Sequence, residues 1–263
     1  MKKLLPFLLS TGAGLLLGGC AVYMPIQCAA PQIKDKNEVE LTGSTYLNGR
    51  YEAAATYSPA RHLLVRAAYS SLPRGSNDST YYRGHQYEVA AGTYWPLGSQ
   101  WLVGGLAGFG QAHSEARYLN DGQLIFFGQS TQHIFDADYN KLFGEVYGSL
   151  QASNTVSFGA AYRVTQVKFT SLSDVGVPLD LRSMTRSEPM FFFRVRPGSG
   201  EADTRPVQLQ FTLGTSATFG YQNTAGSSNT DYQIQKPRGY ITLGVSLFPH
   251  CLLRQYRENR TIE

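Results

Sequence analysis

The amino-acid sequence predicts an all-β fold: an antiparallel up-and-down β-barrel of about ten strands, or of eight, that crosses a membrane. Three observations predict it. Segment after segment alternates apolar and polar residues with period two, the spacing that sends side chains to opposite faces of a strand. The connections between these segments alternate short and long, which gathers the longer ones at one end. Beyond the first residues, no run approaches the roughly 18 consecutive apolar residues of a helical span.

The chain has 263 residues, of which 16% are charged and 13% aromatic, with 27 glycines, 17 tyrosines and a formal charge of +4. The charged fraction is well below the roughly 25% of soluble domains. A single barrel of about 240 residues is an allowed size. Ample apolar content and a small net charge exclude intrinsic disorder. The slight positive charge is nowhere concentrated, so no nucleic-acid partner is expected.

The chain opens Met1-Lys2-Lys3, runs apolar from Leu4 to Leu17 and then reads Gly18-Gly19-Cys20. A basic start, a short apolar core and small residues make a secretory signal over 1–19. Residues 20–37 link this signal to a barrel over 38–248. Its strands are expected at 38–47, 50–58, 62–71, 84–95, 101–113, 139–150, 155–168, 188–196, 206–219 and 239–248. In the last of them Ile241, Leu243, Val245 and Leu247 oppose Thr242, Gly244 and Ser246, with Tyr240 and Phe248 at the ends. An aliphatic face with aromatic ends suits a strand that meets lipid. The least regular strand is 188–196, where Phe191-Phe192-Phe193 does not alternate.

Asn48-Gly49 is a two-residue hairpin signal. After it, the connections at 72–83, 114–138, 169–187 and 220–238 are longer than those they alternate with. An even strand number returns both ends of the barrel to the short-connection side, where the anchor is expected. Residues 249–263 form a polar tail containing Arg254, Arg257 and Arg260.

Leu17-Gly18-Gly19-Cys20 resembles the lipobox of bacterial lipoproteins. The resemblance implies cleavage before Cys20 and acylation of that cysteine, with no other cofactor. The strand pattern over 38–248 resembles small bacterial outer-membrane β-barrels. Together the two imply a lipid-anchored protein of the bacterial outer membrane, with membrane lipid, the barrel assembly machinery and the lipoprotein-sorting machinery as partners. Ala21 follows the cysteine instead of the aspartate associated with inner-membrane retention. Family barrels end on an aromatic residue; Phe248 fits that position, although a tail follows it.

With the aliphatic faces towards lipid, Glu40, Glu52, Arg66, Glu88, Lys141, Glu145 and Arg163 point inward. They are expected to pair across the lumen, or else to line a narrow pore. Gly104, Gly105, Gly108 and Gly110 are read as relieving crowding or shaping the sheet. Cys28 and Cys251 are a candidate disulfide in a compartment that permits one. His113, Ser114 and Glu115 hold catalytic residue types, but a strand sends Ser114 away from the other two. His133, Asp136 and Asp138 are potential metal ligands whose spacing matches no strict site. No catalytic or metal site is therefore assigned, and His62, His85 and His250 receive no role. The expected function is a structural, interaction or narrow-pore role in the envelope. The alternative is a soluble β-barrel or sandwich lipoprotein binding a small ligand, and behind it an envelope lipid-modifying enzyme.

Overall fold

The protein is described here by a computed structural model that covers residues 22–73, 81–120, 131–199, 201, 204–221 and 229–252. Its strands are β1 (Val39–Tyr46), β2 (Tyr51–Ala60), β3 (Leu63–Leu72), β4 (Tyr81–Leu97), β5 (Trp101–Asn120), β6 (Thr131–Gln151), β7 (Val156–Asp174), β8 (Val177–Pro178), β9 (Ser183–Val195), β10 (Val207–Thr218) and β11 (Arg238–Leu247). One short helix, α1 (Asn229–Gln235), precedes β11. Neighbouring strands pair antiparallel around the sheet, and β11 returns to β1 with Leu41 opposite Leu247. The two-residue β8 folds back on the end of β7 without joining the ring, since β9 pairs with β7 along most of its length. The result is a closed ten-stranded antiparallel barrel, which leaves no open sheet edge.

The outward positions carry an apolar band. On β4 they are Tyr87, Val89, Ala91, Thr93, Trp95 and Leu97; on β6, Leu142 and Val146 are among the most exposed large apolar residues. Trp95, Trp101, Tyr57 and Phe158 lie towards the short-turn rim, and Tyr51, Tyr69, Tyr87 and Phe109 towards the other. Ten residues of β4 at about 3.3 Å each, tilted by about 40°, give a band about 25 Å tall, the height of the apolar belt of a membrane barrel.

β4 to β7 continue past this band towards the long-connection end. There the polarity of the two faces inverts. Arg83, His85, Gln111, His113, Asp138 and Lys168 face outward, whereas Ala112, Ala116, Phe135, Ala137, Tyr139, Val167 and Phe169 form a buried cluster inside. Residues 114–120 and 131–138 are therefore strand, not the loop expected from the sequence; only 121–130 of that connection lie outside the described residues. Likewise β9 begins at Ser183 and not at 188. The Asn48-Gly49 signal produces a three-residue turn: the Gly49 N–H donates to the Tyr46 carbonyl, and Tyr46 and Arg50 close the hairpin. Gly49 takes a positive φ of 84°, as the third position of such a loop requires.

Parity corrects a further expectation. Tyr240 and Phe248 share a face with Thr242 and Ser246, so both aromatic rings are buried inside, and Arg196 stacks on Phe248 at 4.1 Å. Neither supplies the lipid-facing end of β11. Arg254, Arg257 and Arg260 lie outside the described residues.

Candidate functional site

The lumen is occupied by the chain's own N-terminal segment. Val22, Tyr23, Ile26, Gln27, Cys28, Ala30, Gln32 and Ile33 are buried, and the segment has no regular secondary structure. A backbone with no ladder of its own must find hydrogen-bond partners elsewhere. Pro25 and Pro31 lower that demand because neither carries an N–H. The barrel wall meets the rest with side chains.

Those side chains are largely the charged groups that alternation points inward. Glu40 accepts the Gln32 N–H at 2.7 Å, and Glu145 accepts the Ala29 N–H at 2.7 Å. Glu52 accepts the Gln27 N–H at 3.2 Å and the Tyr46 hydroxyl at 2.7 Å. Arg194 donates to the Ala30 carbonyl at 2.8 Å and Arg50 to the Pro25 carbonyl at 2.6 Å. Gln86 donates to the Met24 carbonyl at 3.1 Å, and the Ser114 hydroxyl to the Val22 carbonyl at 2.6 Å.

Beneath these contacts runs an ionic layer. Arg163 bridges Glu145 at 2.7 Å and Glu88 at 3.0 Å, and Lys141 reaches Glu88 at 2.6 Å. Arg66 lies 3.6 Å from Glu52. All seven inward charges read from the sequence, Glu40, Glu52, Arg66, Glu88, Lys141, Glu145 and Arg163, are buried within the barrel. Sequence reading missed Arg50, Arg186, Glu188 and Arg194. Glu188 accepts the hydroxyls of Tyr23, Thr165 and Ser216 at 2.8, 2.9 and 3.0 Å. Extending the even-numbered parity of β9 to Arg186, Glu188 and Arg194 was the available signal, and the triple phenylalanine masked it. Among the described residues buried Arg and Lys outnumber buried Glu and Asp, and the surplus guanidinium groups hold carbonyl oxygens. Arg186 donates to Ser216 and Gln235 carbonyls, and Arg205 to that of Arg196.

Small residues make the room. A Cβ on Gly104 would collide with the Tyr147 hydroxyl, one on Gly108 would sit 2.6 Å from Phe143, and one on Gly110 2.8 Å from Glu88. β5 thus yields its inward space to large side chains of its neighbours, and Cys28 and Ala30 of the plug pack with Leu102, Leu106 and Phe192. Among the described residues, small openings beside the plug at Met24 and at Gln27 each have room for about one water molecule.

Other candidates separate. Cys28 and Cys251 are buried thiols; Cys28 lies within the lumen and Cys251 beyond the end of β11, and no disulfide joins them. Ser114 is buried against Val22, while His113 and Glu115 face outward with Asp138 and Arg83. The three do not converge. His133 points inward and pairs with Asp174 at 2.6 Å, away from Asp136 and Asp138. His113 is the imidazole that meets those two acids, with ligand atoms within 4.8 Å. Asp136 and Asp138 are exposed and the half-buried His113 is hydrogen-bonded to Asp138 and Glu115, so no metal centre is assigned. His62 stacks on Trp95 at 4.0 Å. Cys20 lies outside the described residues.

No protein-family model matches the sequence, and no curated protein matches it. Loose overlaps exist with solved structures. The N-terminal β-barrel domain of Pseudomonas aeruginosa OprF overlaps at TM-score 0.32 and 10% identity, covering 81% of this chain and 98% of that one. The translocator domain of the autotransporter NalP from Neisseria meningitidis overlaps at 0.43 and 11%, covering 80% and 86%. The outer membrane protease OmpT from Escherichia coli overlaps at 0.43 and 9%, covering 81% and 94%. At such values these likenesses carry nothing about function. The strand pairing itself establishes the class, a closed ten-stranded barrel with an apolar outer band and an internal plug.

Proposed function

We propose that this protein is a lipid-anchored barrel of the bacterial outer membrane that acts as a sealed structural and interaction platform, not as a pore. The plug is the observation that carries the proposal. Its backbone is hydrogen-bonded to Glu40, Glu52, Arg50, Gln86, Ser114, Glu145 and Arg194 along the length of the lumen. Opening a channel would strip these buried groups of partners, and each orphaned group costs about 1–3 kcal/mol. The apolar outer band supports membrane insertion, since an exposed apolar surface of this extent is foreign to a soluble monomer. Among the described residues, the openings beside the plug have room for about one water molecule each, which counts against the soluble ligand-binding alternative. No catalysis is assigned, because Ser114 commits its hydroxyl to the plug and His113 lies on the opposite face.

Two measurements test this. A Cys20→Ala chain with a replacement signal should stay in the membrane pellet after carbonate or urea extraction; its release as a folded soluble protein would overturn the membrane-spanning assignment. The full chain in planar bilayers should be electrically silent. Steady ion conductance would overturn the sealed state and restore a narrow pore.

A further inference from the structure

The plug has a direction. Its contacts climb in order from one end of the barrel to the other. Gln32 bonds Glu40 and Ser149 near the short-turn rim, Ala29 bonds Glu145 midway, and Pro25 bonds Arg50 beside the β1–β2 turn. Val22 then bonds Ser114 inside the extended part of β5, beyond the apolar band. The chain therefore passes from β1 at the short-turn end up through the lumen to the long-connection end. This reverses the placement expected from strand parity, which put the anchor beside the start of β1. Parity fixes where the first strand begins, not where the seventeen described residues before it travel.

From this we infer that the barrel delivers the leading end of the plug, Val22, to the long-connection mouth, so that a lipid anchor attached ahead of it belongs to the outer leaflet of the outer membrane. The inference rests on the membrane-spanning, lipid-anchored assignment made above. Chain length decides it. Two peptide steps link Cys20 to Val22, a reach of about 7 Å. A return to the short-turn rim from the level of Ser114 would take about 30 Å, through a lumen already filled. Among the described residues, β1, β2 and β3 end at Tyr46, Tyr51 and Leu72 on that rim, whereas β5 and β6 run on. Half-buried Met24 borders a small opening there with Arg50, Ser70 and Leu72. The barrel holds its own N-terminus across the bilayer and presents it on the outer side.

The test is cysteine accessibility in intact cells with a membrane-impermeant maleimide. Three single variants of the full chain are compared with the parent, whose two described thiols are buried. Val177→Cys marks the long-connection end, Asn154→Cys the short-turn end, and Ala21→Cys the residue next to the anchor. Ala21→Cys should label in intact cells together with Val177→Cys, and permeabilising the outer membrane should add nothing. Asn154→Cys should label only after permeabilisation. Ala21→Cys following Asn154→Cys would overturn the inference while leaving the barrel assignment intact. Equal labelling of Val177→Cys and Asn154→Cys in intact cells would overturn the membrane-spanning assignment itself. A short epitope inserted between Ala21 and Val22, read with antibody on intact cells, covers the case in which Ala21→Cys disturbs processing: staining supports the inference, and staining confined to permeabilised cells overturns it.

Discussion

Arg163 is buried between two carboxylates, with Glu145 at 2.7 Å and Glu88 at 3.0 Å, while Glu145 also holds the backbone of Ala29. One guanidinium thus ties β7, β6 and β4 together and steadies the acid that grips the plug. Removing it leaves charge uncompensated in a space without bulk water. Arg163→Ala is expected to destabilise the folded barrel by about 3–5 kcal/mol, read as a lowered midpoint in heat-modified gel mobility. Adding Glu145→Gln should restore part of that loss, because the residual cost is an unpaired charge and the two residues share one network. Gly108 makes a second expectation at this scale. Its missing Cβ would collide with the Val89 carbonyl oxygen, whereas nothing lies within 4 Å of that position on Gly144. Gly108→Ala should cost about 1–3 kcal/mol in the same assay, and Gly144→Ala should be close to neutral. The seven inward charges are legible from strand parity alone. What they bind is not, because alternation gives the face of a residue and not its partner. Glu145 reads as a member of an ion pair, and it pairs with Arg163, but it also accepts the backbone of Ala29, as Glu40 accepts that of Gln32.

At the scale of elements, strand number and ring order are legible in the sequence and strand length is not. β5 and β6 keep alternating to Arg117 and from Gln132, but their chemistry inverts above the apolar band. His113-Ser114-Glu115-Ala116 then shows charges outward and small residues inward, which by composition resembles a loop. The plug is illegible for a related reason. Val22 to Ile33 has neither period, and its fit depends on wall residues scattered over β1, β2, β4, β5, β6 and β9. The inverted extension can be tested through its cross-strand pair. His113 lies directly opposite Asp138, bonded at 2.9 Å, with Glu115 at 3.5 Å. Partial burial opposes charge on the imidazole, yet the hydrogen bonds to Asp138 and Glu115 outweigh it and raise its pKa. A raised value in the folded state adds stability that is complete below the ordinary histidine range near about 6.5 and is lost as pH rises through the folded-state value. The stability difference between the parent and Asp138→Asn should therefore be largest in mild acid and narrow in alkaline buffer. A difference independent of pH would show that the charged pair contributes nothing there.

For the whole molecule, the boundary between the lipid-facing band and the solvated extension is the claim with most at stake, because the membrane assignment and the side on which Val22 lies both depend on it. β6 crosses that boundary in one straight strand. Val146 and Leu142 face outward within the band, and Asp138 and Asp136 face outward beyond it, with Asn140 between them. A charge at bilayer depth costs about 2–4 kcal/mol on a membrane barrel and about 0–1 kcal/mol near the interface. Val146→Arg should accordingly lower stability in lipid vesicles by about 2–4 kcal/mol, and Asn140→Arg by no more than about 1 kcal/mol, as measured by denaturant unfolding of the refolded protein. In detergent micelles, which adapt around an added charge, the two should differ less. A soluble barrel would give a different result: both positions would be water-facing, and both arginines would be tolerated alike. The depth dependence therefore separates the two architectures with the plug left untouched, and its midpoint along β6 fixes how far above the outer interface Ser114 holds Val22.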